Sequence, residues 1–108
     1  MTDEPWKLLD PLSSRKLARH VLDALTNGPQ RYTDVLKHVT QREGDAVHPR
    51  TFSNTLKWLR EQGYIDHRDE PTPEYWLTGD GRDLTQILTD IGRVYERRQR
   101  ERPRTAPQ

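Results

Sequence analysis

The chain has 108 residues and a formal net charge of +1, so any affinity for nucleic acid must come from local basic patches rather than from a global field. This length holds one domain with a small core, and the absence of cysteine excludes disulfides, thiolate metal sites and cysteine nucleophiles. No stretch is apolar enough to cross a bilayer and the first residues lack a signal-peptide pattern, so we expect a cytoplasmic protein.

Residues 1–12 are predicted to be an N-terminal extension of the folded domain. Trp6, Leu8 and Leu9 are too apolar for a free tail, since exposed apolar side chains that lie close together usually have a partner. We therefore expect these three residues to pack on the domain or across a dimer.

Two helices are predicted between residues 11 and 39. The first starts at residues 11–14, where a proline and two serines favour a helix start, and it ends at the Asn-Gly-Pro of residues 27–29. A second, short helix follows, with Thr33 as its N-cap. The inward residues are Leu17, Ala18, Val21, Leu22 and Leu25 in the first helix and Val35, Leu36 and Val39 in the second.

A third helix is predicted between a proline and a glycine. Phe52, Leu56 and Leu59 recur at helical spacing and form one apolar stripe. Pro49 suits the first helical turn, where its missing N–H costs nothing, and Gly63 suits a left-handed stop. This helix is followed directly by an extended run, in the order of a recognition helix and a wing.

The outward face of the third helix is basic and contains no acid from His48 to Arg60. Such a face suits a DNA groove. Arg50 and Asn54 lie one turn apart near the N-terminal end, where Arg suits guanine and Asn suits adenine as bidentate partners. The residues assigned to phosphate contacts are Ser53, Lys57 and Arg60.

A hairpin is predicted from strands at residues 64–68 and 74–78, which flank a proline-containing tip at residues 69–73. Its four acidic residues outnumber its single arginine, so the wing would repel phosphate. Two interpretations stay open, a tip that enters the minor groove and a solvated hairpin that only braces the core. The acids are Asp66, Asp69, Glu70 and Glu74, and the arginine is Arg68.

The last helix carries more apolar side chains than one small domain needs. Thr78 can cap it, and its apolar residues recur at steps of three and four. We expect this stripe to form a dimer interface. It comprises Leu84, Ile87, Leu88, Ile91, Val94 and Tyr95.

The folded domain is predicted to span residues 13–96. Residues 97–108 contain five arginines and one acid, together with two prolines. This composition predicts a disordered basic tail that contacts phosphate without reading sequence.

The order helix, glycine, strand in residues 47–65 resembles the HxlR family of bacterial winged helix-turn-helix regulators, and two further motifs support the resemblance. Residues 25–36 resemble the family pattern of a leucine, a Gly-Pro pair and Arg-aromatic-Ser-x-x-Leu, and the matching residues are Gly28, Pro29, Arg31 and Tyr32. Residues 74–81, Glu-Tyr-Trp-Leu-Thr-Gly-Asp-Gly, resemble the family's Glu-Tyr-x-Leu-Thr-x-x-Gly.

The resemblance implies a mainly α fold with a small β-hairpin wing (α+β), which dimerises through terminal helices. It also implies phosphate contacts for Arg31 and Thr33 at the start of the second helix. His48 takes the N-cap position that the family usually fills with serine. Two interpretations of this histidine stay open, a hydrogen-bond donor to phosphate and a poor cap. Two features depart from the family, a long polar connection at residues 40–46 and Leu17 in place of a tryptophan.

The sequence offers no enzyme site. Its histidines, His20, His38, His48 and His67, fall on different predicted elements without metal-ligand spacing, and no cofactor is expected. Five aromatic residues could line a pocket for a planar ligand at the dimer interface, although core or interface packing explains them better. They are Trp6, Trp58, Tyr75, Trp76 and Tyr95.

Taken together, these patterns predict a homodimeric transcriptional regulator that binds double-stranded DNA at a pseudo-palindromic operator on the nucleoid. The alternative is a winged-helix module that binds a protein partner through its acidic wing and aromatic surface, without specific DNA binding. The operator sequence and the identity of any small-molecule effector stay open.

Overall fold

The structure, a computed structural model, describes residues 4–101. Helices and a single two-stranded hairpin account for most of this part of the chain. The elements are a 3₁₀ turn Glu4–Leu8, α1 Asp10–Ser13, α2 Lys16–Ala24, α3 Tyr32–Glu43, α4 Pro49–Glu61, β1 Ile65–Arg68, β2 Glu74–Leu77 and α5 Gly79–Glu101.

Helices α2, α3 and α4 pack around one core, and the predicted stripes face it. Phe52 and Leu59 of α4 are fully buried, as are Val35 and Val39 of α3. Burial of such side chains is the main force that stabilises a domain of this size. The core residues are Leu12, Ala18, Val21, Leu22, Ala24, Leu25, Val35, Val39, Phe52, Leu56, Leu59, Ile65, Leu77 and Leu84.

The predicted start of the first helix is wrong. Pro11 and Ser13 belong to the separate turn α1, Ser14 is its C-cap, and α2 begins only at Lys16, after a non-helical Arg15 with ψ of 76°. Leu12 is 1% exposed and therefore belongs to the core. The extension predicted for residues 1–12 thus contributes one anchor to the domain.

Helix α3 differs from the prediction at both ends. Arg31, not Thr33, occupies the N-cap position, with an extended backbone at φ −77° and ψ 159°. The helix continues to Glu43 and ends where Gly44 takes the left-handed conformation at φ +74°. The predicted connection of residues 40–46 is therefore reduced to residues 44–48, because Gly44 is the position where a left-handed stop costs least.

Ion pairs between α2 and α3 hold the extra turn of α3 in place. Asp23 of α2 accepts hydrogen bonds from Arg42 at 2.9 Å and from the His38 ring at 2.8 Å. Glu43 lies 3.3 Å from the Lys16 ammonium and 3.4 Å from the His20 ring. Residues that the sequence assigned in part to a loop thus fix the last turn of a helix.

Helix α4 ends as predicted, at a left-handed glycine. Gly63 has φ of +81°. Its N–H donates to the Arg60 carbonyl, and the Tyr64 N–H donates to the Leu59 carbonyl, both at 3.0 Å. This pair of bonds is a Schellman motif, which satisfies the last carbonyls of the helix and turns the chain into β1.

Strands β1 and β2 form the predicted antiparallel hairpin, with Ile65 opposite Leu77 and Arg68 opposite Glu74. One residue outside the hairpin joins it as a third, single-residue strand. Gln30 and Tyr75 exchange backbone N–H to carbonyl hydrogen bonds of 2.9 and 2.8 Å. The bridge ties the connection between α2 and α3 to the hairpin.

The start of α5 is locked to the end of α4 by the motif of residues 74–81. Thr78 Oγ1 donates to the Gly63 carbonyl at 2.6 Å and accepts from the Gly81 N–H at 3.1 Å. A Cβ on Gly81 would lie 1.9 Å from the Tyr64 carbonyl oxygen. Only glycine allows this approach, which explains why the motif ends in that residue.

Helix α5 has 23 residues, roughly 34 Å at 1.5 Å per residue, and it extends five residues beyond the predicted boundary at 96. Residues 97–101 are therefore helical and not disordered, because arginine is a good helix former and cations near a helix C-terminus stabilise it. The rest of the predicted tail, residues 102–108, lies outside the described residues.

Candidate nucleic-acid interface

The outer face of α4 presents the residues that the sequence assigned to DNA. They lie opposite the buried stripe of the same helix, so solvent reaches all of them. Within residues 4–101, none of the cations on this face forms an ion pair with an acid. The exposed residues are Arg50, Ser53, Asn54, Lys57 and Arg60.

His48 caps α4 through its side chain. Its Nδ1 accepts a hydrogen bond from the Arg50 N–H at 3.2 Å, and its own backbone is extended at φ −63° and ψ 127°. An Nδ1 atom that accepts carries no proton, so the neutral ring that caps the helix bears its proton on Nε2. The N-cap position predicted for His48 is confirmed. The cap also leaves Nε2–H as the ring's donor toward solvent at a positive helix end.

The start of α3 lies beside α4 and is joined to it by a tyrosine that the sequence did not assign to the interface. The Tyr32 hydroxyl lies 3.3 Å from Ser53 Oγ, and its ring meets Phe52 edge-on with centroids 5.1 Å apart. The neighbouring Arg31 and Thr33 are exposed. Tyr32 thus links the start of α3, where the two predicted phosphate residues lie, to the predicted groove-reading helix.

The hairpin has the opposite electrostatic character. Its arginine, Arg68, is paired with Glu74 across the two strands. His67 lies 3.6 Å from Asp69. Asp66 and Glu70 are exposed, so the tip and edges of the hairpin carry more negative than positive charge.

A cavity of about 420 Å³ separates α4 from the hairpin. Lys57 and Arg60 line its helix side, and Asp66 and His67 line its hairpin side. Next to it the ring of Tyr75 stacks on His67 with centroids 5.5 Å apart. Burial raises the pKa of Tyr75, and the nearby Arg60 only partly opposes this shift, so the phenol stays protonated at neutral pH.

Helix α5 divides the predicted dimer stripe into two groups. Leu84 is 3% exposed and Leu88 packs against the core, so both face the core of their own chain and neither contributes a free apolar surface, while the interface assigned to this stripe stays a prediction. The other four remain in solvent, exposed by 42 to 64%, and border a shallow groove. They are Ile87, Ile91, Val94 and Tyr95.

The five aromatic residues that were considered for a planar-ligand pocket do not form one site. Trp58 lies under the Arg15 guanidinium, 4.3 Å from its ring centroid, while Trp76 lines a separate cavity beside the start of α5. Trp6 and Tyr95 are exposed by 59 and 64%. An aromatic pocket at a dimer interface is therefore not assembled within one chain.

Two classes of site find no support in residues 4–101. The histidine, aspartate and glutamate side chains there include no group of three that could hold a metal ion. None of the helices in that range combines the length and the apolar composition that a membrane span requires.

Comparison with known proteins places this geometry in a family. The family described as HxlR-like helix-turn-helix matches residues 13–102. No curated protein matches the chain. Several solved structures of transcriptional regulators share its architecture, and together with the three helices and hairpin they confirm the predicted winged helix-turn-helix fold.

Three of these structures illustrate the likeness. The putative transcriptional regulator ytfH from Salmonella typhimurium is 23% identical, with 91% of each chain covered and a TM-score of 0.66. The regulator YodB from B. subtilis is 19% identical, with 85% of this chain and 88% of that chain covered and a TM-score of 0.66. The repressor BigR from Xylella fastidiosa is 25% identical, with 87 and 88% covered and a TM-score of 0.63.

Proposed function

The chain belongs to the HxlR-like helix-turn-helix family, and from this membership we propose that it is a DNA-binding transcriptional regulator that acts as a homodimer on a pseudo-palindromic operator of the nucleoid. The observation that carries the proposal is the outer face of α4, whose cations Arg50, Lys57 and Arg60 are exposed and lack acidic partners within residues 4–101. An α-helix fits the major groove, and cations that are free of ion pairs displace counterions from phosphate without first breaking protein contacts.

The N-terminal half of α4 is the part that reads bases in this proposal. Arg50 donates two hydrogen bonds to a guanine, and Asn54, one turn later, exchanges two with an adenine. Lys57 and Arg60 follow toward the cavity beside the hairpin and contact phosphate. Ser53, Arg31, Thr33 and the Nε2–H of His48 extend the phosphate contacts to the start of α3 and α4.

A second copy of the chain is the proposed partner of α5. The four exposed apolar residues of this helix leave a surface in water that an isologous contact across a two-fold axis would cover. Such an axis relates the two α4 helices as well. Their half-sites would then lie roughly 34 Å apart, one turn of DNA, which is why the operator should be a pseudo-palindrome.

The dimer can be tested with Ile91→Asp, which would place an unpaired carboxylate in the contact. Light scattering should report a folded monomer. Thr89→Asp is the matched control, since Thr89 is exposed on the same helix outside the apolar group and its change should leave the dimer intact. A well-folded dimer of Ile91→Asp would show that α5 is not the interface.

The acidic hairpin favours a second candidate, a module that binds a protein partner instead of specific DNA. Both candidates predict a surface partner, but only DNA binding predicts a steep dependence on salt. Binding should be measured by fluorescence anisotropy with genomic fragments selected by the protein and with random DNA. For each phosphate contact, log K should fall by about 0.9 per unit of log salt. A shallow slope with no preferred fragment would favour the protein-binding module.

A further inference from the structure

A cavity of about 220 Å³ lies where the connection between α2 and α3 meets β2 and the first turn of α5. Its lining is mostly apolar. Leu25 and Leu77 form buried walls, and the half-buried Trp76, Gly28 and Pro29 complete the apolar lining. Three elements that are far apart in sequence thus enclose one concave apolar site.

The backbone around this cavity is well fixed. The Gln30–Tyr75 bridge joins two of its walls through hydrogen bonds of 2.9 and 2.8 Å. The Gln30 side chain donates to the Ala24 carbonyl at 2.5 Å, which closes the connection onto the end of α2. A pocket with walls held in this way exists before a ligand arrives, so little ordering is needed on binding.

One cation stands at the rim. The Arg82 Nη1 donates to the Leu77 carbonyl at 3.2 Å, which places the guanidinium beside the cavity. Arg82 forms no ion pair with an acid of residues 4–101, and its other N–H groups have no protein acceptor there. The acids nearest in sequence, Asp80 and Asp83, are two and one positions away and so project from other faces of the helix.

We propose that this cavity binds a small aromatic carboxylate. The ring lies between Trp76 and Pro29, and the carboxylate pairs with Arg82, whose planar guanidinium matches its geometry. An apolar cavity of roughly 150 Å³ is enough for one benzene molecule. The cavity's volume of about 220 Å³ therefore accommodates one ring with its carboxylate.

A ligand in this position would touch the connection before α3, the hairpin and α5 at once. Because the ligand fits the arrangement seen here, it would favour this arrangement over any other, and so bias the spacing of two α4 helices that α5 holds in a dimer. This regulatory consequence rests on the proposed function. The binding of the ligand does not.

Binding is tested by NMR titration of the full, ¹⁵N-labelled chain with sodium benzoate. The Trp76 indole N–H and the Gly28 amide should shift and saturate, with a dissociation constant on the order of 1 mM for a ligand of this size. Arg82→Gln should lower the affinity for benzoate about tenfold, because a charge-assisted hydrogen-bonded pair is lost. The same change should leave the uncharged benzamide almost unaffected.

Arg93→Gln is the matched control, since Arg93 lies on the same helix but pairs with Asp90 at 2.8 Å, and it should titrate like the wild type. Equal benzoate affinity in Arg82→Gln, or shifts that spread over the surface without saturation, would overturn the proposal. Operator affinity with and without benzoate tests the consequence separately. An unchanged affinity with saturable binding at Trp76 would overturn only the regulation, and a failure to bind DNA both with and without benzoate would instead overturn the proposed function.

Discussion

The outer face of α4 and the hairpin lie side by side, separated by one cavity, yet their charges are organised in opposite ways. Arg50, Lys57 and Arg60 on α4 form no ion pair with an acid between residues 4 and 101, whereas Arg68 on the hairpin is paired with Glu74 of the facing strand. A cation that is already paired gains little from a phosphate. Under the proposed function, this contrast predicts that the helix makes the DNA contacts and that the hairpin supports the helix.

The largest expected effect concerns this supporting role. Gly81→Ala would force a Cβ to within 1.9 Å of the Tyr64 carbonyl oxygen, which lies between α4 and β1. Neither backbone can move without disturbing the hairpin base, so we expect a loss of about 3 kcal/mol in the free energy of unfolding. Urea denaturation measures it. Gly79→Ala, two residues earlier in open space, should change stability by no more than about 0.5 kcal/mol. Similar losses in both variants would contradict the close approach.

The next effect separates two kinds of contact on α4. Arg50→Ala or Asn54→Ala should cost about 1 to 3 kcal/mol on the selected operator and relax preference at one base position. Lys57→Ala should weaken binding to all DNA sequences alike. It should also make the slope of log K against log salt shallower by about 0.9, the value for one phosphate contact. Arg93→Gln on α5 serves as the charge control for both. Equal loss of specific and random DNA in Arg50→Ala and Lys57→Ala would refute the division of roles.

A smaller effect of opposite sign is expected from the hairpin tip. Asp69→Asn combined with Glu70→Gln removes two exposed negative charges from the hairpin tip, next to the face of α4 that is proposed to bind DNA. Operator affinity should rise at low salt by less than about 1 kcal/mol, and the gain should vanish as salt is added. Anisotropy at two salt concentrations measures this change. Weaker binding by the double variant would show that the hairpin tip makes favourable contacts with DNA, which would contradict a purely supporting role for the hairpin.

The smallest effect concerns the pH dependence of stability and comes from His20 of α2, which lies beside Glu43 of α3. Burial lowers the pKa of His20, and the adjacent Glu43 only partly opposes this shift. The unfolded chain therefore takes up a proton first as the pH falls, so the stability that the neutral ring contributes is present above about pH 6.5 and declines below it. The wild type should lose more stability than His20→Gln between about pH 8 and about pH 5, as judged by urea denaturation. Parallel losses would exclude His20 as the cause.

Much of the fold was predictable because it depends on local signals. The α4 stripe, the Gly63 stop and the Thr78 cap each depend on a few neighbouring residues. Gly81 was recognised only as part of a motif, because nothing in the sequence indicates that the Tyr64 carbonyl lies beside it.

The failures have physical causes as well. A single-residue strand has no periodicity, so the Gln30–Tyr75 bridge left no signal in the sequence. Thr33 has good capping chemistry, but Tyr32 contacts Ser53 and Phe52 and belongs to the first turn of α3, which begins two residues earlier than predicted. The charge-rich residues 97–101 were assigned to a tail although arginine continues a helix readily.

The positions of the residues assigned to DNA were also partly predictable from local signals. Helical periodicity places Arg50, Asn54 and Lys57 on the outer face, and solvent reaches them there. Periodicity did not separate the buried Leu84 from the exposed part of the stripe, because it shows which side chains share a face and not where along a long helix the core ends.

The Thr78 hydroxyl, bonded to both the Gly63 carbonyl and the Gly81 N–H, determines where the chain tolerates insertions. Residues added at the hairpin tip lie beyond this junction and cost only loop entropy, about 0.6 kcal/mol for each doubling of loop length. A single residue added between Thr78 and Gly81 would rotate the following helix by about 100° and put a side chain where only a hydrogen atom fits. Related proteins can therefore differ freely in the length of the wing, while the spacing from its last strand to α5 has to stay constant.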